Sequence, residues 1–215
     1  MKTMKYLHTV FDVDGTLVDT DEAILSSLQI TVQQLTGTTI RQEDLYFALG
    51  IPGEAALRRL GIQDIMTADQ IWEEHYARSA ASCKLYPHID EAILRLSDYG
   101  LRLGIVTSRS REEYVRDSLL DPLRPYFDVV ICKEDSKKHK PDPEPMLTYI
   151  SRTGASPTEI LYVGDTRYDV QCARQACTDS ALALWNGRTG IQSESTYRIS
   201  SVFELLDIIL TTRED

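Results

Sequence analysis

The sequence predicts an α/β fold, in which a parallel β-sheet is flanked by helices and carries a helical subdomain inserted near its beginning. Short apolar runs alternate with longer amphipathic segments, which is the pattern of repeated strand–helix units. One block, residues 20–83, has helical periodicity only. Polar and acidic residues follow four of the apolar runs, where ligands bind in open parallel sheets.

Five apolar runs are predicted to be the strands of the sheet. Each is short and mostly apolar along its whole length, and four of them contain two or more β-branched residues. We therefore expect parallel strands that are buried on both faces. The predicted strands are residues 6–11, 101–106, 128–132, 160–163 and 180–185.

Amphipathic helices are predicted between and after these strands. Ser110 and Glu113 have the spacing of a capping box, and Gly100 and Gly154 follow the last apolar positions of two helices. Strand–helix alternation of this kind gives right-handed crossovers and a parallel sheet. The predicted helices are residues 89–99, 110–120, 143–153, 166–177 and 202–210.

The block between the first strand and the next helix is predicted to be a separate helical unit. It is too long for an ordinary crossover connection, and its predicted helices are residues 23–35, 42–49, 53–60 and 68–81. We expect hinges at residues 18–20 and 83–87. The predicted division is therefore a core of residues 1–18 and 83–215 and an inserted unit of residues 19–82.

Composition restricts the partners of the protein. The chain has 215 residues, with 23 Lys and Arg against 33 Asp and Glu, so its net charge is −10. Nucleic-acid binding depends on basic surfaces, so we expect no nucleic-acid partner, although a local patch can still bind a small anion. No apolar stretch approaches the ~18 residues of a membrane span, and Asp12 and Asp14 interrupt the first apolar run. We therefore expect a cytoplasmic protein with no membrane partner.

Polar side chains follow four of the predicted strands. A single Asp after a strand is most often a turn or helix-capping residue. Here polar residues follow four predicted strands, so that explanation is less satisfactory for the whole set. Asp12 and Asp14 are two residues apart, so their side chains leave the strand on the same side. Two carboxylates held this close repel each other unless a cation lies between them, and oxygen ligands suit Mg²⁺. The residues concerned are Asp12 and Asp14, then Thr107, Ser108 and Arg109, then Lys133, Glu134 and Asp135, and finally Gly164, Asp165 and Asp169.

Four segments of the chain resemble the motifs of the haloacid dehalogenase-like (HAD) superfamily. They are residues 11–20 (FDVDGTLVDT), 105–107 (IVT), 140–143 (KPDP) and 164–169 (GDTRYD), and they occur in the order that the superfamily shows. The helical block resembles the cap inserted after the first motif in the phosphoglycolate phosphatase-like branch. The resemblance implies a Rossmann-like sheet core with an inserted helical cap.

The resemblance also implies catalytic and metal-binding roles. Asp12 would attack phosphorus and become an aspartyl-phosphate, and Asp14 would protonate the leaving group and then activate water. Mg²⁺ would be bound by the carboxylate of Asp12, the backbone carbonyl of Asp14 and the carboxylate of Asp165. Asp169 would support this metal shell.

Phosphate binding is implied for a further set of residues. Thr107 and Lys140 would hold the phosphoryl oxygens, with backbone N–H groups near Gly15 and Ser108. These assignments are chemically consistent, because positive charge must offset the repulsion between a carboxylate nucleophile and a phosphate. Gly15 lacks a side chain, so the backbone can approach the phosphate closely.

The expected function is that of a Mg²⁺-dependent phosphatase with a small-molecule phosphate substrate. Phosphoglycolate, a sugar phosphate, a nucleotide and pyrophosphate all remain open as that substrate. The acid at Asp14 favours phosphate-ester chemistry over dehalogenation, and Thr16 favours the phosphatases over β-phosphoglucomutase-like phosphomutases, although the mutase stays an alternative. A non-enzymatic binding protein is a third alternative, disfavoured because every motif acid is present. A monomer and a homodimer are equally open.

Candidate specificity residues lie in the helical block. Gly50 belongs to a Gly-containing segment that resembles the one in phosphoglycolate phosphatase-like enzymes, and Arg58 follows on the next helix. Arg58 is either a solvated surface charge or a contact to a carboxylate or second phosphate of the substrate. Arg109 has the same two interpretations, and residues 185–187 are expected only to pack and to form a turn.

Overall fold

The computed structural model describes residues 4–188, 191 and 193–210. Within them, six parallel strands form one sheet and two short antiparallel strands form a second. The strands are β1 (His8–Phe11), β2 (Val18–Asp19), β3 (Lys84–Leu85), β4 (Arg102–Val106), β5 (Phe127–Ile131), β6 (Ile160–Gly164), β7 (Asp179–Ala183) and β8 (Tyr197–Ile199).

The α-helices of the described residues flank the large sheet or form the inserted block. None of these helices combines the length and the apolar character that crossing a membrane requires. The helices are α1 (Asp21–Thr36), α2 (Gly53–Arg59), α3 (Ile65–Ser79), α4 (Ile89–Asp98), α5 (Arg111–Arg116), α6 (Glu144–Thr153), α7 (Arg167–Gln175) and α8 (Val202–Leu210).

β1 lies in the middle of the large sheet, whose strand order is β5-β4-β1-β6-β7-β8. Phe11, the last residue of β1, pairs with Ile105 of β4 on one side and with Val163 of β6 on the other. The residues that follow these three strands therefore lie together at one edge of the sheet. The chain order reverses at β1, and open α/β sheets bind ligands at such a switch point.

The structure confirms the predicted fold class. Each of the five predicted strands is present, and no strand end moves by more than two residues. β8 was not predicted, because three residues that include the exposed Arg198 are too few to show a strand pattern. The antiparallel pair β2–β3 was not predicted either, and it lies within the residues predicted as hinges.

Two predicted helices were wrong in extent or type. Residues 110–120 do not form one helix, because α5 ends at Arg116 and Asp117 has an extended backbone. The Asp117 side chain instead accepts a hydrogen bond from the backbone N–H of Leu119 at 3.0 Å and begins a separate 3₁₀ turn, Ser118–Leu120. The predicted helix at residues 42–49 is a 3₁₀-helix, Gln42–Ala48.

Two hydrophobic clusters pack against opposite faces of the large sheet. Leu161 and Val163 of β6 belong to one cluster and Ile160 and Tyr162 to the other, because successive side chains of a strand alternate between its faces. The inserted block has its own cluster, which includes the fully buried residues Leu28, Leu45 and Leu57. The inserted block therefore has an apolar core of its own, distinct from the two clusters on the sheet.

Candidate active site

Asp12 follows β1 directly and is 2% exposed. Its backbone N–H donates to the carbonyl of Val163 at 2.9 Å, which continues the ladder between β1 and β6. The chain then turns at Gly15, whose φ of +72° favours glycine. A Cβ at Gly15 would lie 2.1 Å from Oδ2 of Asp165, so the absence of a side chain lets the turn pack against that carboxylate.

The backbone N–H of Gly15 is not free in this conformation. It donates to the carbonyl of Val18 at 2.9 Å and so closes the turn that leads into β2. The resemblance implies backbone N–H groups near this residue as phosphate donors. The contribution that the structure shows for Gly15 is the close approach of the turn to Asp165.

Lys140 lies between two buried carboxylates. Its Nζ is 2.9 Å from Oδ2 of Asp12 and 2.7 Å from Oδ1 of Asp169, and its side chain is 1% exposed. Burial alone would lower the pKa of Lys140, but Asp12 and Asp169 outweigh burial and raise it. The ammonium group therefore stays charged beside Asp12.

Asp169 is held by four hydrogen bonds. Its Oδ1 accepts from Lys140 and from the hydroxyl of Tyr162, the latter at 3.0 Å, and its Oδ2 accepts from the backbone N–H and the hydroxyl of Thr166 at 2.9 and 2.5 Å. The capping box at the start of α7 creates the Thr166 contacts. Asp169 is thus a fixed carboxylate that positions Lys140.

Asp165 follows β6 and is fully buried. Its Oδ1 accepts from the hydroxyl of Thr16 at 3.2 Å, and its Oδ2 accepts from the side-chain amide of Asn186 at 3.1 Å. Arg188 also forms an ion pair with Asp165, and it pairs with Asp21 at 3.0 Å. Residues 185–187, expected only to pack and turn, therefore contribute a direct contact to this carboxylate.

Asp12, Asp165 and Asp169 form an acidic group, in which carboxylate oxygens from the three residues lie within 4.8 Å of one another. Burial raises the pKa of Asp12 to about 7, with Lys140 opposing that rise. The three carboxylates outnumber the nearby cations, since Arg188 is shared with Asp21. Carboxylate oxygens are the donors that Mg²⁺ prefers, so these residues fit a divalent cation.

The carboxylate of Asp14 lies outside this acidic group and is held by Arg109. The guanidinium donates to it twice, at 2.9 and 2.7 Å, and Thr20 donates at 2.9 Å. Burial alone would raise the pKa of Asp14, but Arg109 outweighs burial and lowers it. Arg109 also donates to Asp117 at 2.6 Å. The sequence is consistent with Arg109 as either a surface charge or a substrate contact. In the structure Arg109 is buried and contacts Asp14.

Two residues with predicted phosphate-binding roles follow β4, Thr107 through its side chain and Ser108 through its backbone N–H. Thr107 is 4% exposed, and its hydroxyl accepts from the backbone N–H of Arg109 at 3.2 Å. The hydroxyl of Ser108 donates to the carbonyl of Gly50 at 3.0 Å. Ser108 therefore contacts the inserted block in this conformation.

Gly50 and Arg58 differ in their relation to the acidic group. Gly50 has a φ of +84°, and a Cβ there would lie 2.8 Å from the side chain of Thr166. Gly50 thus packs between Ser108 and Thr166, next to the cluster. Arg58 is exposed and lines a cleft between α2 and the loop after β5.

Comparisons with known proteins agree with this geometry. The "Putative pyrophosphatase PpaX" of Caldanaerobacter subterraneus subsp. tengcongensis is 32% identical, over 99% of this chain and 98% of that protein. Pyrophosphatase PpaX of Bacillus velezensis is 29% identical, over 94% and 93% of the two chains. The solved structure of a "putative phosphoglycolate phosphatase" from Lactobacillus plantarum superposes with a TM-score of 0.82 at 27% identity, over 95% of this chain and 100% of that one.

A family model extends the similarity across the sheet and the acidic group. It describes haloacid dehalogenase-like hydrolases and matches residues 9–183, from β1 to the end of β7. The matched region contains the four motif segments, the inserted block and all three clustered carboxylates. The chain therefore belongs to the haloacid dehalogenase-like hydrolase family.

Proposed function

We propose that this protein is a Mg²⁺-dependent phosphatase that hydrolyses a small phosphorylated metabolite through an aspartyl-phosphate at Asp12. The observation that carries the proposal is the position of Lys140 between Asp12 and Asp169, with Asp165 beside them. This arrangement gives a carboxylate nucleophile next to groups that offset phosphate charge. The names of the relatives, pyrophosphatase and phosphoglycolate phosphatase, support phosphate chemistry.

Asp12 is the proposed nucleophile. Its Oδ2 lies 2.9 Å from Nζ of Lys140, which holds the carboxylate at the end of β1. In the first step, a bond forms between this carboxylate and phosphorus while the bond from phosphorus to the leaving-group oxygen breaks. In the second step, water attacks phosphorus, which releases phosphate and restores Asp12.

Asp14 is the proposed acid and base. It protonates the leaving-group oxygen in the first step and takes a proton from the attacking water in the second. In this conformation the Asp14 carboxylate accepts two hydrogen bonds from Arg109. These bonds stabilise its deprotonated form, which has no proton to donate. The acid function therefore requires that Asp14 turn away from Arg109 when substrate binds.

Mg²⁺ would be held by the carboxylates of Asp12 and Asp165 and the backbone carbonyl of Asp14, with Asp169 supporting this set. When bound, the ion offsets the negative charge that builds up on the phosphoryl oxygens. Lys140 supplies further positive charge from the protein itself, and Thr107 lies at the neighbouring strand end to contact a phosphoryl oxygen.

Residues 19–82 are proposed to act as a cap over this edge of the sheet. The contacts of Gly50 with Ser108 and of Phe47 with Tyr168 connect the block to the strand-end loops. A cap that closes over bound substrate excludes bulk water, which would otherwise compete with Asp12 for phosphorus.

A phosphate-release screen tests the proposed function. The panel contains phosphoglycolate, sugar phosphates, nucleotides and pyrophosphate, each assayed with Mg²⁺ and again with excess chelator. We expect release from at least one substrate with Mg²⁺ and its loss with chelator. Full activity in chelator would contradict the metal assignment, and no release from any substrate would contradict the phosphatase.

A further inference from the structure

Arg188 lies beside the acidic group and links it to the inserted block. Its guanidinium forms ion pairs with Asp165, which follows β6, and with Asp21, whose Oδ2 is 3.0 Å from Nε of Arg188. Asp21 is the first residue of α1, so it lies at the start of the inserted block. The side chains of Arg188 and Asp21 are only 18% and 19% exposed, so water screens their charges incompletely.

The turn that follows β7 holds Arg188 in this place. The indole N–H of Trp185 donates to the carbonyl of Thr16 at 3.0 Å, which attaches the turn to the segment after β1. The side-chain oxygen of Asn186 accepts from the backbone N–H of Arg188 at 3.0 Å, and the amide of the same side chain donates to Asp165. The position of Arg188 is therefore set by the hydrogen bonds of this turn.

Arg188 and a divalent cation would act on the same carboxylate. Oδ2 of Asp165 contacts the guanidinium and also accepts from the side-chain amide of Asn186. A positive charge held beside a metal ligand repels a second cation, and this repulsion is stronger in a partly buried site than in water. The contact also leaves less of the Asp165 carboxylate for coordination. Arg188 therefore disfavours metal binding at Asp165 as long as the two side chains stay paired.

The attraction between Arg188 and Asp165 depends on charge rather than on aligned hydrogen bonds. Nε and Nη2 of Arg188 are buried, but neither forms a hydrogen bond with any residue that the structure describes. Arg109, by contrast, donates two aligned hydrogen bonds to Asp14, the stronger arrangement for an arginine and a carboxylate. Asp21 offers the guanidinium of Arg188 a second carboxylate. The pair of Arg188 with Asp165 is therefore one that a divalent cation can displace.

We propose that Arg188 competes with Mg²⁺ for Asp165 and that Asp21 determines the strength of this competition. The inference rests on the metal site of the proposed phosphatase. Before the ion binds, the guanidinium offsets part of the charge of Asp165. When Asp165 coordinates the ion, Arg188 is left paired with Asp21 at the first turn of α1. Occupancy of the metal site is thereby coupled to the start of the inserted block.

Calorimetric titration with Mg²⁺, in the absence of any substrate, tests the inference through the Kd of the metal. Arg188→Gln removes the positive charge, and Arg188→Lys keeps it. Arg198→Gln is the matched control, because Arg198 is an exposed arginine of the edge strand β8 whose guanidinium donates to the carbonyl of Ile191 at 3.1 Å. The control changes the net charge of the chain by the same amount as Arg188→Gln.

We expect Arg188→Gln to bind Mg²⁺ about tenfold more tightly than the wild-type chain, because a contact between charged groups contributes about that much. Arg188→Lys and Arg198→Gln should bind Mg²⁺ like the wild type. A merely structural role of Arg188 would not tighten metal binding, so the sign of the change is diagnostic. Equal or weaker binding by Arg188→Gln would overturn the inference and leave the metal site standing. Absence of Mg²⁺ binding in all four chains would contradict the metal site and the inference together.

A second variant, Asp21→Asn, tests the other half of the inference without depending on the folding of Arg188→Gln. Removing the alternative partner leaves Arg188 on Asp165, so Mg²⁺ should bind about threefold more weakly. Glu22→Gln is the matched control, because Glu22 is the next acid of the same turn and its carboxylate accepts from Gln42 at 3.2 Å. The control should bind Mg²⁺ like the wild type. Equal Kd values for Asp21→Asn and Glu22→Gln would overturn the inference.

Discussion

The Lys140→Met variant tests whether the ammonium group of Lys140 stabilises the buried carboxylates of Asp12 and Asp169. Methionine is unbranched and close to lysine in length, so it fills the same space without the charge. In the wild-type chain the ammonium lies 2.9 Å from Asp12 and 2.7 Å from Asp169, and all three side chains are buried. The variant leaves two buried carboxylates without their partner.

Removing one member of a buried ion pair typically costs ~3–5 kcal/mol. For a chain of this size, each kcal/mol shifts Tm by about 2–4 °C. We therefore expect the free energy of unfolding of Lys140→Met to fall by about 3 kcal/mol or more, with a decrease in Tm of about 6 °C or more. A divalent cation replaces part of the missing charge, so saturating Mg²⁺ should recover part of this loss.

Urea unfolding followed by tryptophan fluorescence, with and without Mg²⁺, measures these effects. The matched control is Lys138→Met, because Lys138 is exposed and pairs with Asp142 at 3.2 Å on the surface. Exposed pairs contribute little, so the control should unfold like the wild-type chain. A Lys140→Met variant as stable as the control, or one on which Mg²⁺ has no larger effect than on the wild-type chain, would refute the reasoning.

Three further predictions concern glycines and one acid outside the catalytic set. Gly50→Ala should lower kcat/KM about tenfold, because the added Cβ meets Thr166 at 2.8 Å, whereas Gly37→Ala, at a similar positive φ but in open space, should lower stability only; equal activities would contradict this. Gly104→Ala should cost about 1–3 kcal/mol in urea unfolding, because its Cβ would lie 2.2 Å from the ring of Tyr149; an unchanged midpoint would show that Tyr149 can move. Burial alone would raise the pKa of Asp179, but hydrogen bonds from Tyr6, Lys5 and Thr196 outweigh it and lower that pKa. Its stabilisation is therefore present above the unfolded pKa of ~3.9 and is lost as the pH falls through the lower folded pKa, so Asp179→Asn should be less stable than the wild type at pH 7 and approach it in acid. A constant difference at all pH values would exclude this linkage.

Sequence reasoning predicted those features that depend on strand ends. Asp12 and Asp165 follow strands that the apolar pattern identifies, and parallel strands that pair side by side bring their ends together. Lys140 was assigned through the resemblance alone, since it lies in a loop nine residues beyond the end of β5. No local pattern shows that this loop returns to Asp12.

Other features depend on contacts between distant residues, which no local pattern encodes. Arg109 meets Asp14 across a separation of 95 residues, and a charge after a strand is equally consistent with a surface position. Helix α5 ends at Arg116, before the end of the helix predicted for residues 110–120, because the Asp117 side chain caps the next turn. Tyr162 fits a buried strand by its apolar ring, and its hydroxyl contact with Asp169 became visible only in three dimensions.

The central claim is that Asp12 is the nucleophile of a Mg²⁺-dependent phosphatase. Phosphate release with Mg²⁺ from the best substrate of the panel tests it directly, in the wild-type chain, in Asp12→Asn and in Asp19→Asn. Asp19 belongs to the same motif segment, but its carboxylate accepts from the hydroxyl of Tyr86 at 3.3 Å and lies outside the acidic group. We predict that Asp12→Asn abolishes phosphate release while remaining folded, and that Asp19→Asn retains it. Near-normal release by a folded Asp12→Asn variant would contradict the claim.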